Sequence, residues 1–174
     1  RRSPPPAPMR AAFAALRTLA RPVPLPNLAA DIVVAVPRLV CGWLLTVEFG
    51  APKFGLPWSD PDRGLRLFEV AYWFPADVAA FGGPFAVAPA LLAWLGAFAE
   101  GVGGIAWLLG LQVRLFALII AATMLVAILC QQWRNGLWNM LPAMGILWVA
   151  LYTLVLGSGR LGLDALVARR TGNA

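Results

Sequence analysis

Four long runs of apolar residues account for most of the chain, and shorter stretches rich in proline, glycine, aromatic or charged residues separate them. The runs cover about Ala29–Ala51, Val87–Leu111, Leu115–Cys130 and Leu137–Leu156. Roughly 20 helical residues, each rising about 1.5 Å, cross the hydrocarbon core of a bilayer, which is about 30 Å thick. The pattern therefore predicts four transmembrane helices, the first to fourth spans. The third is short, and we expect Arg114 to lengthen it by snorkelling.

The connection between the first two spans is long, whereas the other two connections are short. It contains several aromatic residues among prolines and glycines: Trp58, Tyr72, Trp73, Phe74, Phe81 and Phe85. Because aromatic residues prefer the membrane–water interface, we expect residues 63–74 to form a helix on the outer membrane surface. The short connections make the second, third and fourth spans antiparallel neighbours.

The N-terminal segment is basic and rich in proline. Residues 9–20 place Phe13, Leu16 and Leu19 near one helical face with arginines around it, which predicts a short amphipathic helix in the membrane interface. Residues 1–8 are too rich in proline and arginine to fold alone. We therefore expect other membrane subunits to hold the N-terminal segment.

The predicted fold is an all-α bundle of four transmembrane helices, with an N-terminal interfacial amphipathic helix and a long aromatic outer connection. It divides the chain into a proline-rich basic tail with the interfacial helix (1–27), a membrane domain (28–166) and a basic C-terminal tail (167–174). Composition agrees, because 60% of the 174 residues are hydrophobic and 13% are charged, against about 25% charged in soluble domains. A soluble core of this size cannot bury so much apolar surface.

The basic residues are unevenly distributed over the two sides of the predicted bundle. If the N-terminus is cytoplasmic, ten of the 14 Lys and Arg residues lie on the cytoplasmic side. The other four are Lys53, Arg63, Arg66 and Arg134. The positive-inside rule then predicts a multi-pass protein of a bacterial-type inner (cytoplasmic) membrane, in contact with its lipids and with both termini in the cytoplasm.

Several kinds of function are disfavoured. The net charge of +6 does not indicate a nucleic-acid partner, because the basic residues flank apolar runs and form no stripe with interleaved polar readers. The sequence has no histidine, which excludes haem held by a His pair and the usual His-bearing zinc sites. It contains no recognisable metal motif, nucleophilic triad or phosphate-binding loop. We therefore expect no metal site, no catalytic residue and no catalysis by this chain alone.

The two cysteines, Cys41 and Cys130, lie in different spans. The helical rise places them about 10 Å apart in depth, whereas a disulfide needs Cα atoms within roughly 7 Å. We predict two free thiols.

The second span carries a stripe of small residues three and four positions apart. They are Gly96, Ala99, Gly103, Ala106 and Gly110. Small residues at this spacing let membrane helices approach closely. We expect the stripe to pack against the first or fourth span, and a ligand groove along the glycines is the alternative.

Three ionisable residues, Arg38, Glu48 and Glu100, lie at predicted membrane depth. Such residues are costly in lipid and are candidates for function. Arg38 and Glu100 differ in depth by about 6 Å on antiparallel helices, so we predict a buried ion pair between them. In the functional alternative, this pair holds a quinone head, a lipid headgroup or a proton path. We expect Glu48 to be a solvated or interfacial carboxylate.

Short motifs follow one another along the chain. They are Arg38-Leu-Val-Cys-Gly42, Phe49-Gly50-Ala-Pro-Lys53, Glu100-Gly-Val-Gly-Gly104, Leu108-Leu-Gly-Leu-Gln-Val-Arg114 and Gly157-Ser-Gly-Arg-Leu-Gly-Leu-Asp164. Together they resemble the DoxX family of small four-helix membrane proteins, over residues 31–166. The chain departs from the family pattern at Ser158, where Pro is usual, and at Gly162, where Ser is usual. Glu48 is atypical, and the aromatic connection is longer than expected.

The resemblance implies an association with membrane redox systems. The family takes its name from a subunit resembling the membrane part of thiosulfate:quinone oxidoreductase, and other members are linked to oxidative-stress complexes. We expect an accessory subunit of a respiratory or photosynthetic electron-transfer complex, which packs against partner subunits and borders a quinone or lipid site.

Two other interpretations remain open. In one, the chain handles quinone directly, with Arg38, Glu48 and Glu100 at the site. In the other, it transports a small molecule. Quinone bound between the first two spans would favour the former, and a polar path from Glu48 to Glu100 would favour the latter.

Overall fold

The computed structural model describes residue 23 and residues 25–170. The predicted interfacial helix at residues 9–20 lies outside this part of the chain. Four helices are long and apolar enough to cross a membrane: Leu28–Gly50, Pro89–Leu109, Val113–Asn135 and Leu137–Leu156. The described residues form no β-strand. The predicted all-α, four-helix membrane fold is confirmed. The fourth span has the predicted bounds, and the observed bounds replace the predicted ones for the other three spans.

Two of the spans change helix type along their length. The first span is α-helical over Leu28–Trp43 and π-helical over Leu44–Gly50. Asn27 caps its start, because the Asn27 side chain accepts a hydrogen bond of 2.8 Å from the backbone N–H of Ala30. The third span is α-helical over Val113–Val126, then π-helical over Ala127–Gln132, and it ends in a 3₁₀ turn at Trp133–Asn135. This continuation makes the third span longer than the sequence predicted.

The first and second spans touch along their backbones at two pairs of glycines. A Cβ atom added to Gly104 would lie 2.7 Å from the carbonyl oxygen of Gly42. A Cβ atom added to Gly50 would lie 2.9 Å from the Cα of Gly101. Because neither distance leaves room for a methyl group, glycine sets the approach of these two helices.

The predicted small-residue stripe is only partly the packing surface. Ala99 and Ala106 are buried as predicted. Gly103 packs on Ile120 of the third span, not on the first or fourth span. A Cβ atom added to Gly96 would have no heavy atom of another residue within 4 Å. Gly110 caps the end of the second span, where its φ is +68°. The small residues do not form one packing stripe, because they line two faces of the second span, one that contacts the first span and one that contacts the third.

The predicted surface helix at residues 63–74 is wrong. The connection instead forms a 3₁₀ turn at Pro61–Arg63, then irregular turns, and a short helix at Phe74–Ala79. Gly64 and Phe68 both have positive φ values, which a right-handed helix cannot contain. Pro75 lies in the first turn of the short helix, a position where its missing N–H costs nothing. The connection packs inward, since Phe54 is completely buried.

A turn at residues 157–162 follows the fourth span and leads into a C-terminal helix, Leu163–Arg170. Residues 167–170, predicted as part of a tail, complete this helix. The turn lies against the start of the first span and against the connection between the second and third spans. The turn binds two buried charged residues of the first span, Asp31 and Arg38.

Candidate functional site

Lys53 and Glu100 form an ion pair inside the bundle. The Lys53 ammonium nitrogen lies 2.5 Å from Oε2 of Glu100, and their side chains are 16% and 9% exposed. Lys53 follows the first span in a tight turn, in which its N–H donates to the carbonyl of Gly50 at 3.0 Å. The ammonium also lies 4.8 Å from the ring centroid of Phe74, within cation–π range. The turn therefore brings the only lysine of the chain back over the second span.

The predicted Arg38–Glu100 pair is wrong, because each residue has a different partner. Glu100 pairs with Lys53, whereas Nη2 of Arg38 donates to the carbonyl of Leu161 at 2.6 Å. The prediction relied on the similar depths of the two residues in the membrane, which alone would allow the two side chains to meet. The first span turns the Arg38 side chain toward the C-terminal turn instead.

A cavity of about 380 Å³ opens beside the Lys53–Glu100 pair, and we call it the polar cavity. Its lining comes from the first connection and all four spans. The lining residues are Phe49, Lys53, Glu100, Met124, Ala127, Gln131, Gln132, Asn139, Pro142, Ala143 and Ile146. The volume falls within the range of small-molecule sites, roughly 300–1,000 Å³, and a few polar groups among apolar ones are typical of such sites.

Three spans are irregular where they border the polar cavity. Phe49 belongs to the π-helical end of the first span. Gln131 and Gln132 belong to the π-helical segment of the third span. Pro142 lies within the fourth span, where it lacks the N–H of a regular helix. Irregular helical turns occur often at functional sites, and interrupted membrane helices border many transporter binding sites. This convergence distinguishes the cavity from an ordinary packing gap.

Among the described residues, the other buried charged side chains are Asp31, Arg38 and Asp164, around the other end of the first span. Together with the turn at residues 157–162, which binds Asp31 and Arg38, we call them the C-terminal clasp. Asp31 accepts two hydrogen bonds from Arg160, 2.5 Å from its Nε and 2.9 Å from its backbone N–H. Arg38 is 1% exposed and binds the Leu161 carbonyl. A Cβ atom on Gly110 would lie 2.5 Å from the Cα of Gly162 and 2.8 Å from Nη1 of Arg38, and the backbone contact requires glycine there for space as well as for its positive φ.

Asp164 caps the third span from a distance in sequence. Its carboxylate accepts backbone hydrogen bonds from Gln112 at 2.8 Å and Val113 at 3.0 Å. Burial raises the pKa of Asp164, while those N–H groups and the nearby Arg38 and Arg114 guanidinium groups oppose the shift. The Gly157–Asp164 motif therefore has a structural explanation: it joins the end of the fourth span to the starts of the first and third spans.

Glu48, the third sequence candidate, does not join either group. It is exposed and is not among the residues that line the polar cavity. The predicted thiols are confirmed, since Cys41 and Cys130 are both free.

Sequence reasoning missed several residues of the polar cavity. Lys53 enters the sequence prediction as a topology signal and as the end of the Phe49–Lys53 motif but not as a site residue, although it is the only lysine and lies three residues beyond the first span. Gln131, Gln132 and Asn139 flank the short third connection and are not among the predicted site residues. The signal that could have indicated these residues is the cluster of side-chain amides where the third span ends and the fourth begins.

Within the described residues, no group of three or more His, Cys, Asp or Glu side chains is placed to hold a metal ion. The fold and the site define a small four-helix membrane protein with a charged pair and a polar cavity inside its bundle. A sequence model of the DoxX family matches residues 33–133, more than half of the chain. The chain belongs to the DoxX family. Neither a curated protein nor a solved structure matches it.

Proposed function

We propose that this chain is an accessory subunit of a membrane electron-transfer complex and that its polar cavity holds the head of a quinone. The observation that supports this most directly is the Lys53–Glu100 pair facing a cavity of about 380 Å³ within the bundle. The redox centre that exchanges electrons with the quinone is then supplied by a partner subunit. In this proposal the complex lies in a bacterial-type inner membrane.

The polar cavity offers partners to both redox forms of a quinone head. The carbonyl oxygens of the oxidised form are acceptors, and the Lys53 ammonium and the side-chain amides of Gln131, Gln132 and Asn139 are donors. The hydroxyls of the reduced form are donors, and the Glu100 carboxylate is an acceptor. Hydrogen bonds to charged groups contribute about 1.5–3 kcal/mol, more than those between neutral groups. Met124 and Ile146 supply apolar surface for the ring.

The test is quinone binding to the purified protein in lipid nanodiscs. The probe is 2,3-dimethoxy-5-methyl-1,4-benzoquinone, followed by calorimetry or by quenching of tryptophan fluorescence. We expect Glu100→Gln and Gln131→Leu each to weaken binding about tenfold, which corresponds to the loss of one good hydrogen bond. Glu48→Gln is the matched control, because Glu48 is an exposed carboxylate outside the cavity lining.

Two results would contradict the proposed quinone site. One is the absence of saturable binding by the parent protein. The other is equal affinity of the Glu100→Gln, Gln131→Leu and Glu48→Gln variants. The Gln131→Leu variant matters because it leaves the ion pair intact, so its effect does not depend on the stability of the bundle.

The accessory role has a separate test. The protein is purified under native conditions from its own membranes, and the proteins that co-purify are identified by mass spectrometry. We expect a stoichiometric redox subunit. A stable single-chain protein, with no partner at any detergent concentration, would exclude the accessory role and leave the quinone site to be judged on binding alone.

A further inference from the structure

An apolar groove runs along the side of the bundle between the second and third spans. Its volume is about 460 Å³. Its lining includes Trp94, Leu95 and Phe98 of the second span and Leu118, Ile119 and Ala122 of the third span. Trp94, Leu95 and Leu118 are exposed, so the groove opens on the outer surface of the bundle, which faces lipid in a membrane.

A narrow space of about 60 Å³, which we call the neck, lies between this groove and the ion pair. The neck shares five lining residues with the groove: Phe85, Leu92, Gly96, Thr123 and Val126. It shares four with the polar cavity: Lys53, Glu100, Ala127 and Gln131. The three spaces therefore adjoin one another in a row, with the apolar groove at one end and the polar cavity at the other.

Gly96 lies in the wall of both the groove and the neck. A Cβ atom placed on it would have no heavy atom of another residue within 4 Å. Helix packing therefore does not require glycine at this position, in contrast to Gly101 and Gly104 on the same helix. In the same groove, the rings of Trp94 and Phe98 stack with their centroids 5.0 Å apart and form an apolar wall.

We propose that the groove holds the hydrocarbon tail of the ligand whose head occupies the polar cavity, and that the ligand enters sideways from the membrane past Gly96. This inference rests on the proposed quinone site and narrows its ligand to an amphiphile with a single long tail. Its basis is the order of the three adjoining spaces, since an amphiphile matches both that order and the change from apolar to polar lining. When the ligand binds, its tail leaves the lipid and contacts the aromatic rings of the groove. Its head leaves the headgroup region of the membrane and contacts the Lys53–Glu100 pair.

The test compares two probes with the same head, the dimethoxy-methyl-benzoquinone used above and its 6-decyl derivative. Binding is measured in nanodiscs for the parent protein and for Gly96→Leu. Gly145→Leu is the matched control, because Gly145 is also a helical glycine with open space around its Cβ position. We expect the decyl tail to strengthen binding to the parent and to Gly145→Leu about tenfold beyond partition into the bilayer.

In Gly96→Leu we expect that gain to disappear while the affinity for the tail-less probe stays within about twofold of the parent. A gain that survives in Gly96→Leu overturns the inference and leaves the quinone site standing. So does a parent protein that binds both probes equally well, or a Gly96→Leu variant that loses the tail-less probe. If the parent binds neither probe, the quinone site itself is wrong and the tail groove is wrong with it.

Discussion

The Lys53 ammonium meets the Glu100 carboxylate at 2.5 Å and thereby ties the first connection to the second span. Lys53 lies in a loop and Glu100 lies in the middle of an apolar run, so a hydropathy profile gives no indication that they meet. A carboxylate buried at this depth is costly without a partner, and a lysine at the end of a tight turn provides one.

Loss of one member of this pair destabilises the bundle more than loss of both. We expect Glu100→Leu to lower the free energy of unfolding by about 3–5 kcal/mol, because the Lys53 ammonium is left buried and unpaired. The double change Lys53→Met with Glu100→Leu removes both charges and costs less. Thermal unfolding in detergent measures both variants, with Glu48→Gln as the control. A Glu100→Leu protein as stable as the parent contradicts the pairing.

The glycine contacts between the first two spans predict a contrast between two alanine substitutions. Gly104→Ala forces a methyl group against the Gly42 carbonyl, and we expect it to cost about 1–3 kcal/mol through overpacking. Gly145→Ala places its methyl group in open space, and we expect it to be neutral or slightly stabilising. Melting temperatures in the same detergent compare the two. Equal melting temperatures would show that the spans do not touch at Gly42.

Removal of the Asp164 carboxylate uncaps the third span. We expect Asp164→Ala to cost about 0.5–2 kcal/mol, because the N–H groups of Gln112 and Val113 lose their acceptor. Asp77→Ala is the control, since Asp77 is exposed on the short helix of the first connection. Hydrogen exchange resolves the effect: the amide of Val113 exchanges faster in Asp164→Ala only. Unchanged protection there would show that the carboxylate is not the cap.

Membrane orientation is testable with single cysteines. In a background with Cys41 and Cys130 changed to alanine, Asp62→Cys marks the first connection and Arg169→Cys marks the C-terminal helix. The positive-inside rule predicts that a membrane-impermeant maleimide labels Asp62→Cys in cells with a permeabilised outer membrane. Arg169→Cys is labelled only after the inner membrane is opened. The reverse pattern would invert the predicted topology.

The number and positions of the spans follow from sequence because a bilayer imposes a simple length requirement. Each span must supply about 20 apolar residues, and Leu137–Leu156 meets this requirement as predicted. The higher polarity of residues 131–135 ended the predicted third span early. The helix continues there in π and 3₁₀ form, with Gln131 and Gln132 facing the polar cavity.

The candidate site was harder to predict, because depth in the membrane does not determine which way a side chain faces. Similar depths in the membrane predicted an Arg38–Glu100 pair. Arg38 instead binds a carbonyl of the turn at residues 157–162, and Glu100 binds Lys53 in the turn after the first span. Both partners lie outside the apolar runs. Their positions depend on how irregular backbone folds back onto the bundle, a property that neither hydropathy nor helical periodicity encodes.

The C-terminal clasp has a consequence for how the protein is made. Asp31 and Arg38 lie in the first span, yet their hydrogen-bond partners, Arg160 and Leu161, are translated after the fourth span is complete. During synthesis, the first helix must therefore carry two uncompensated polar groups, which favour the membrane surface or a water-filled insertion site over lipid. The first of the four spans to leave the ribosome is thus the last to reach its final position, and ribosome-bound chains stopped before residue 160 should hold it loosely.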